Sequence, residues 1–164
     1  DFDVAVIGGG PAGLATALEA KKTAPEAKII VLERDRELGG ILQQCIHNGF
    51  GLHFFGEELT GPEYVDRFVQ KLEGTGIEVW TDAMVLSLSQ DRHISCVSAT
   101  RGLVTLSAGA VVLALARTLT AYRQLAMVTL VGVVVGVAVV PGAGVVVVVP
   151  FAETYAAVVF VALR

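Results

Sequence analysis

At 164 residues the chain has room for about one domain, or one domain and part of another, which excludes a complete two-domain enzyme. A net charge of −4 without any basic cluster excludes nucleic acid as a natural partner. Cys45 and Cys96 stand too far apart for a C-x-x-C or a metal-ligand spacing, so no metal site is expected and a reduced, cytoplasmic setting is the default.

Charge is spread unevenly along the chain. Residues 1–116 carry 24 of the 28 charged side chains and a net charge of −6. Residues 117–164 hold only Arg117, Arg123, Glu153 and Arg164, beside sixteen valines. The two parts are therefore read separately, as a domain over 1–116 and an apolar tail over 117–164.

The chain opens on Asp3-Val4-Ala5-Val6-Ile7, which stops at Gly8-Gly9-Gly10-Pro11-Ala12-Gly13 and turns into an alanine-rich segment. This reads as strand, phosphate-binding turn and helix, and the first apolar run is thus a strand rather than a signal peptide. Gly8, Gly10 and Gly13 fall in the G-x-G-x-x-G pattern. In that pattern the first glycine allows a tight turn, the second admits a pyrophosphate to the backbone, and the third lets the helix lie close to the strand. The helix start at Pro11-Ala12 presents unpaired N–H groups and a positive dipole end to phosphates.

Leu14, Ala15, Ala17, Leu18 and Ala20 give that helix its apolar face, and Lys21-Lys22-Thr23 with Pro25 ends it. Lys28 to Glu33 is a nearly continuous apolar run, as in a parallel strand covered on both faces. Glu33 follows Gly13 by twenty residues, the spacing at which a carboxylate accepts hydrogen bonds from a ribose diol and repels a 2′-phosphate. Residues 34–58 read as a long, ligand-contacting loop that mixes glycines with polar and aromatic residues.

Thr60-Gly61-Pro62-Glu63 is a capping box that opens a helix with Tyr64, Val65, Phe68, Val69 and Leu72 on its apolar face, closed by Gly74 and Gly76. Ile77 to Trp80 is a short strand. Met84–Ser89, His93–Ala99 and Leu103–Leu106 read as an antiparallel meander, with turns at Gln90-Asp91-Arg92 and Arg101-Gly102. Ala110 to Ala116 is an apolar run suited to a separate, buried parallel strand.

This order resembles the FAD-binding domain of the NAD(P)/FAD-dependent oxidoreductases, the pyridine nucleotide-disulfide oxidoreductase superfamily. The strings Leu38 to Gly51 and Glu58 to Tyr64 are similar to a branch near the sarcosine oxidase α-subunit, opine oxidase and hydrogen cyanide synthase proteins. The resemblance implies an α/β, Rossmann-like fold, a parallel sheet flanked by helices with a three-stranded antiparallel meander. It implies FAD as cofactor, with Gly8, Gly10, Pro11, Ala12 and Gly13 at the pyrophosphate and Glu33 at the adenosine ribose. Arg34 would flank the adenine, Gly39-Gly40 would pass near the flavin, Val85 would offer backbone bonds to adenine, and Ala116 would approach the flavin. Hydride transfer between NAD(P)H, or an amine or alcohol substrate, and the flavin is the implied reaction.

Three departures accompany the resemblance. Only Cys45 stands where the disulfide reductases carry a cysteine pair, which excludes a dithiol mechanism. Ala114-Leu115-Ala116 replaces an Ala-Thr-Gly motif. Neither a second G-x-G-x-x-G domain nor a Gly-Asp pair for the ribityl chain follows residue 116. Two further readings therefore stay open, an NAD-binding Rossmann domain and a non-catalytic subunit or fragment whose apolar tail pairs with a partner subunit or a second copy.

Cys45 and His47, two apart, are catalytic candidates because a neighbouring cation lowers a thiol pKa. The simpler reading is that both support the cofactor pocket. His53 and His93 read as ordinary loop and strand-edge residues, Cys96 as a buried apolar residue, and Asp82 and Asp91 as turn residues.

In the tail, 29 residues from Gln124 to Ala152 carry no charge. They read as two strands, Val131–Val140 and Val145–Val149, around Pro141-Gly142-Ala143-Gly144, or as a membrane segment, or as a non-native or truncated tail. The valine content and the Pro-Gly interruption weigh against the membrane, despite a G-x-x-x-G at Gly132 and Gly136. Arg117 to Leu130 reads as a helix.

Overall fold

The computed structural model describes residues 1–114 and, as backbone strands, residues 136–140, 143–148 and 160–161. Its centre is β1 (Phe2–Ile7), which pairs in parallel with β2 (Ile29–Leu32) on one side and with the second half of β8 (Gly102–Leu113) on the other. β5 (Glu78–Trp80) extends the sheet beyond β2, again in parallel. All four residues of β2 are buried, which explains its unbroken apolar run: a strand covered on both faces has no solvent side to make polar.

One face of this sheet carries the helices. α1 (Pro11–Thr23) lays Ala12 and Ala17 on Val6, Ile29, Val31 and Val112. Its small residues let the helix axis approach the sheet, and Thr16, buried at the contact, bonds its hydroxyl to the Ala12 carbonyl at 2.7 Å. α3 (Gly61–Leu72) packs beside α1, with Tyr64, Val65, Phe68 and Leu72 against Leu14 and Leu42. It begins with the capping box foreseen in the sequence: the Thr60 hydroxyl accepts the Glu63 N–H, and the Glu63 carboxylate accepts the Thr60 N–H at 2.8 Å.

The other face carries the antiparallel meander of β6 (Ala83–Leu88), β7 (His93–Ser98) and the first half of β8. Ala83, Ile94, Cys96 and Leu106 pack onto Ala5, Ile7, Ile30 and Leu32. The result is a three-layer α/β fold in which both long helices share one face.

Two expectations are corrected. The third meander strand and the parallel strand after it are one continuous strand, β8, which ladders with β7 from Gly102 to Ser107 and with β1 from Ala108 to Leu113. The small residues Ser107-Ala108-Gly109, which look like a break in the sequence, are where β8 passes between layers. A Cβ on Gly109 would stand 2.9 Å from the Asp3 carbonyl oxygen, so the crossing is closed to larger side chains. The strand ends at Leu113, although the Ala114 N–H still bonds the Ile7 carbonyl at 2.8 Å.

Residues 34–58 are likewise not one loop. They contain a 3-10 turn (Gly40–Gln44), β3 (Asn48–Phe50) and a single-turn helix α2 (Leu52–Phe55), and β3 pairs with β4 (Leu59–Thr60). Each piece is too short to leave a periodicity. They hold together because Phe50 and Phe55 pack their rings on Tyr64 and Phe68 of α3, with centroid separations of 5.4–6.3 Å.

In the tail, β9 (Gly136–Val140) pairs antiparallel with β10 (Ala143–Val148), and β11 (Phe160–Val161) pairs antiparallel with the end of β8. Ala116 and the expected helix from Arg117 to Leu130 lie outside the described residues. Among the described residues no helix is long and apolar enough to cross a membrane.

Candidate functional site

The carboxyl ends of β1 and β2 converge on the three-glycine turn, the place where open α/β sheets bind ligands. The glycines of this turn are not equivalent. Gly8 leaves β1 with φ of +111°, a conformation that L side chains rarely adopt, and its N–H still bonds the Leu32 carbonyl at 2.8 Å. Gly13 sits in the first turn of α1, where a Cβ would fall on the Gly8 carbonyl oxygen. Gly10 differs from both, because a Cβ there would meet no atom within 4 Å and its φ of −72° suits any residue. Among the described residues nothing requires glycine at position 10, and the space over it is open.

Gly10 is also the N-cap of α1. Among the described residues no side chain caps this helix, and no acidic residue stands in its first turn. Pro11 lacks an N–H, which leaves the amides of Ala12 and Gly13 at an uncapped, positive helix end.

Glu33 closes the other side of the turn. Its side chain is 6 % exposed, with one carboxylate oxygen accepting the Gly9 N–H at 2.6 Å and the other accepting the Asp35 N–H at 2.9 Å. A carboxylate has about four lone-pair positions, so this anchoring leaves acceptor capacity for a ligand hydroxyl. The backbone around Glu33 joins three strands: its N–H bonds the Trp80 carbonyl, its carbonyl accepts the Ala83 N–H, and Asp82 N–H bonds the Asp35 carbonyl at 3.0 Å. The start of β6 is thereby tied to the end of β2, and Val85 lies two residues along the same strand. Val85 is half-buried against the core, and the β6–β7 register shifts just after it. Arg34 is exposed, 3.7 Å from the Asp35 carboxylate.

Gly39 and Gly40 come to the same place. The Gly39 N–H bonds the Gly9 carbonyl at 2.8 Å, and a Cβ on Gly40 would stand 3.7 Å from the Gly10 Cα. Both have positive φ, and at Gly39 the Cβ position is taken by Val65 of α3, 2.6 Å away. Thus Gly8, Gly9, Gly10, Gly13, Glu33, Gly39 and Gly40 share one region.

Cys45 and His47 are not brought together. The Cys45 thiol turns back to the Ile41 carbonyl at 3.4 Å, whereas the His47 ring bonds the Asn48 carbonyl at 2.9 Å and lies 5.3 Å from the Phe50 ring. Cys96 is 1 % exposed in β7, and burial pushes its thiol pKa up. Burial also raises the Tyr64 phenol to about 12. Asp82, at φ of +49°, and Asp91 occupy turns, as their residue type favours.

Sequence reasoning missed Gly9, which occupies a variable position of the motif. A Cβ there would stand 2.5 Å from Leu38 Cδ2 and 3.0 Å from Glu33 Cβ. The available signal was a glycine between the two that the motif requires, but only the packed positions of Leu38 and Glu33 give it meaning.

Comparisons with known proteins agree with this fold. The curated L-2-hydroxyglutarate dehydrogenase, mitochondrial, of Dictyostelium discoideum is 42 % identical over 52 residues, 32 % of this chain and 11 % of that protein. Among solved structures, L-proline dehydrogenase from P. horikoshii superposes with a TM-score of 0.56 at 27 % identity, covering 69 % of this chain and 22 % of that one. Thioredoxin reductase of Lactococcus lactis shares the fold, with a TM-score of 0.53 at 23 % identity over 68 % of this chain and 34 % of that one. The chain thus spans about a tenth to a third of the length of these proteins. The family model for pyridine nucleotide-disulphide oxidoreductase matches residues 2–117, and the chain belongs to that family.

Proposed function

We propose that residues 1–116 form the FAD-binding domain of a flavin-dependent oxidoreductase, with residues 117–164 as an apolar tail that completes the sheet or is non-native or truncated. The observation that supports this reading most is Gly10: a glycine that no contact among the described residues demands, at an uncapped helix N-terminus beside a buried glutamate. A close-lying pyrophosphate would supply the missing reason. In this reading the amides of the turn and of Ala12 and Gly13 hold the pyrophosphate, Glu33 takes the adenosine ribose, and Arg34 and the Val85 backbone border the adenine. Gly39-Gly40 passes along the cofactor, and Ala116 approaches the flavin.

When bound, FAD supplies the hydride chemistry, and the chain's own residues bind and orient it. Family membership and dehydrogenase and reductase relatives support an oxidoreductase, with NAD(P)H or an amine or alcohol as the second reactant. The branch near sarcosine oxidase α-subunit remains part of the proposal, as do a cytoplasmic setting, which the free thiols Cys45 and Cys96 favour, and pairing with a second copy or partner subunit. Cys45 and His47, each bonded elsewhere, serve as pocket supports rather than as a catalytic pair.

Reconstituting the chain with FAD, desalting it and recording the visible spectrum tests the proposal. Retained flavin absorbance is the expected result, and a colourless protein would refute it. A parallel titration with NADH separates an NAD-binding Rossmann domain. The short span of the relatives favours one alternative, a fragment that needs the remainder of a longer protein. Flavin retained only after a partner chain is added would establish it.

A further inference from the structure

We infer that Glu33 has a second task besides facing the ribose: it is the positioning residue that holds the phosphate turn in its binding shape before any ligand arrives. This rests on the nucleotide reading of the site. Gly9 is gripped at three points. Its N–H donates to the Glu33 carboxylate at 2.6 Å, its carbonyl accepts the Gly39 N–H at 2.8 Å, and its missing side chain leaves the volume that Leu38 fills. The other Glu33 oxygen is held by the Asp35 N–H at 2.9 Å, so the carboxylate does not swing freely. The carboxylate is buried, where a charge-assisted bond to a backbone N–H is strong and an unpaired Gly9 N–H would be costly.

Glu33 holds the Gly8–Gly9 peptide through its N–H, and Gly39 holds the next peptide, Gly9–Gly10, through the Gly9 carbonyl; the Gly10 end of that peptide faces the open space. A turn clamped this way pays none of its ordering entropy when the phosphate binds. The clamp reaches the second long helix too, because Gly39 is seated against Val65 of α3. Glutamine at position 33 retains one acceptor but turns an NH2 group toward one of the two backbone donors, so one of the two bonds must be lost.

Inorganic pyrophosphate, which has no ribose, separates the two tasks. Pyrophosphate and FAD are titrated calorimetrically into the full chain and into Glu33→Gln, and the exchange rate of the Gly9 amide is measured by NMR in both. The clamp predicts that both ligands weaken by about tenfold or more, the scale of one charge-assisted hydrogen bond, and that Gly9 exchanges at least about tenfold faster without ligand. Unchanged pyrophosphate affinity with weakened FAD would overturn the clamp and leave a ribose contact alone. If the wild-type chain binds neither ligand, the nucleotide reading fails, and the Gly9 exchange rate alone decides the clamp: an unchanged rate overturns it. Should Glu33→Gln not fold, Glu33→Asp, one methylene too short to span both donors, is read by the same amide.

Discussion

The carbonyl oxygen of Gly8 occupies the space that a Cβ on Gly13 would need. The end of β1 and the first turn of α1 are therefore in contact through backbone alone. Substituting Gly13→Ala forces strand and helix apart, and because the obstacle is backbone it cannot rotate away. A loss of about 2–3 kcal/mol is expected, at the upper end of overpacking costs. Chemical denaturation would measure it, and a Gly13→Ala chain as stable as wild type would contradict the packing.

Gly10→Ala should behave in the opposite way. No atom lies within 4 Å of its Cβ, and its backbone is compatible with alanine, so stability should change by less than about 1 kcal/mol, mostly the poorer N-cap preference of alanine. FAD retention should nevertheless fall sharply. The contrast between the two variants, one unstable and one stable but unable to bind, is the prediction. Equal flavin content in Gly10→Ala and wild type would count against the pyrophosphate position.

At Gly9 the obstacle is partly a side chain. Gly9→Ala meets the Leu38 methyl at 2.5 Å and should destabilise the fold by about 1–3 kcal/mol. Leu38→Ala in the same chain opens that volume and should recover part of the loss. Recovery stays incomplete because Glu33 Cβ, 3.0 Å away, does not move. A double-mutant cycle by thermal unfolding checks this, and strict additivity would show that the two residues do not compete for space.

The capping box makes α3 sensitive to acid. Backbone and side-chain hydrogen bonds from Thr60 hold the Glu63 carboxyl below the ordinary glutamate value, with a smaller contribution from Arg67. A lowered folded-state pKa means that the box stabilises the fold above the ordinary glutamate value, and that this contribution is lost as pH falls through the lowered one. Thr60→Ala removes the hydroxyl, should return Glu63 toward ordinary titration, and should cost about 1 kcal/mol. An NMR titration of the Glu63 carboxyl reads the shift, and an unmoved midpoint in Thr60→Ala would disprove the coupling.

The two thiols should react in sequence. Cys45 is partly exposed, whereas Cys96 is sealed beneath the meander with its pKa raised by burial. In native protein a thiol reagent should modify Cys45 alone, and Cys96 only as unfolding proceeds. Modification of Cys96 at the rate of Cys45 under native conditions would mean that β6 to β8 open far more readily than their packing allows.

The amino-acid sequence by itself was enough for everything that short-range chemistry decides. The strand, turn and helix from Phe2 to Thr23, the acidic residue twenty positions on, and the Thr60–Glu63 cap are each written within a few residues, because hydrogen bonding and φ preference act locally. The family resemblance rests on the order of the elements and on local strings such as Leu38 to Gly51 and Glu58 to Tyr64. Tertiary structure alone decided the rest. The single strand from Gly102 to Leu113 changes partner at Ser107–Ala108, and what makes that possible is the missing side chain at Gly109, whose backbone lies close against Asp3, a residue about a hundred positions away. The pieces between Gly40 and Thr60 exist because aromatic rings of β3 and α2 find Tyr64 and Phe68. Gly9 looks like a spacer until Glu33 and Leu38 close around it. Spacing along the chain shows where a turn will form, but which atoms crowd it depends on residues that only folding brings near.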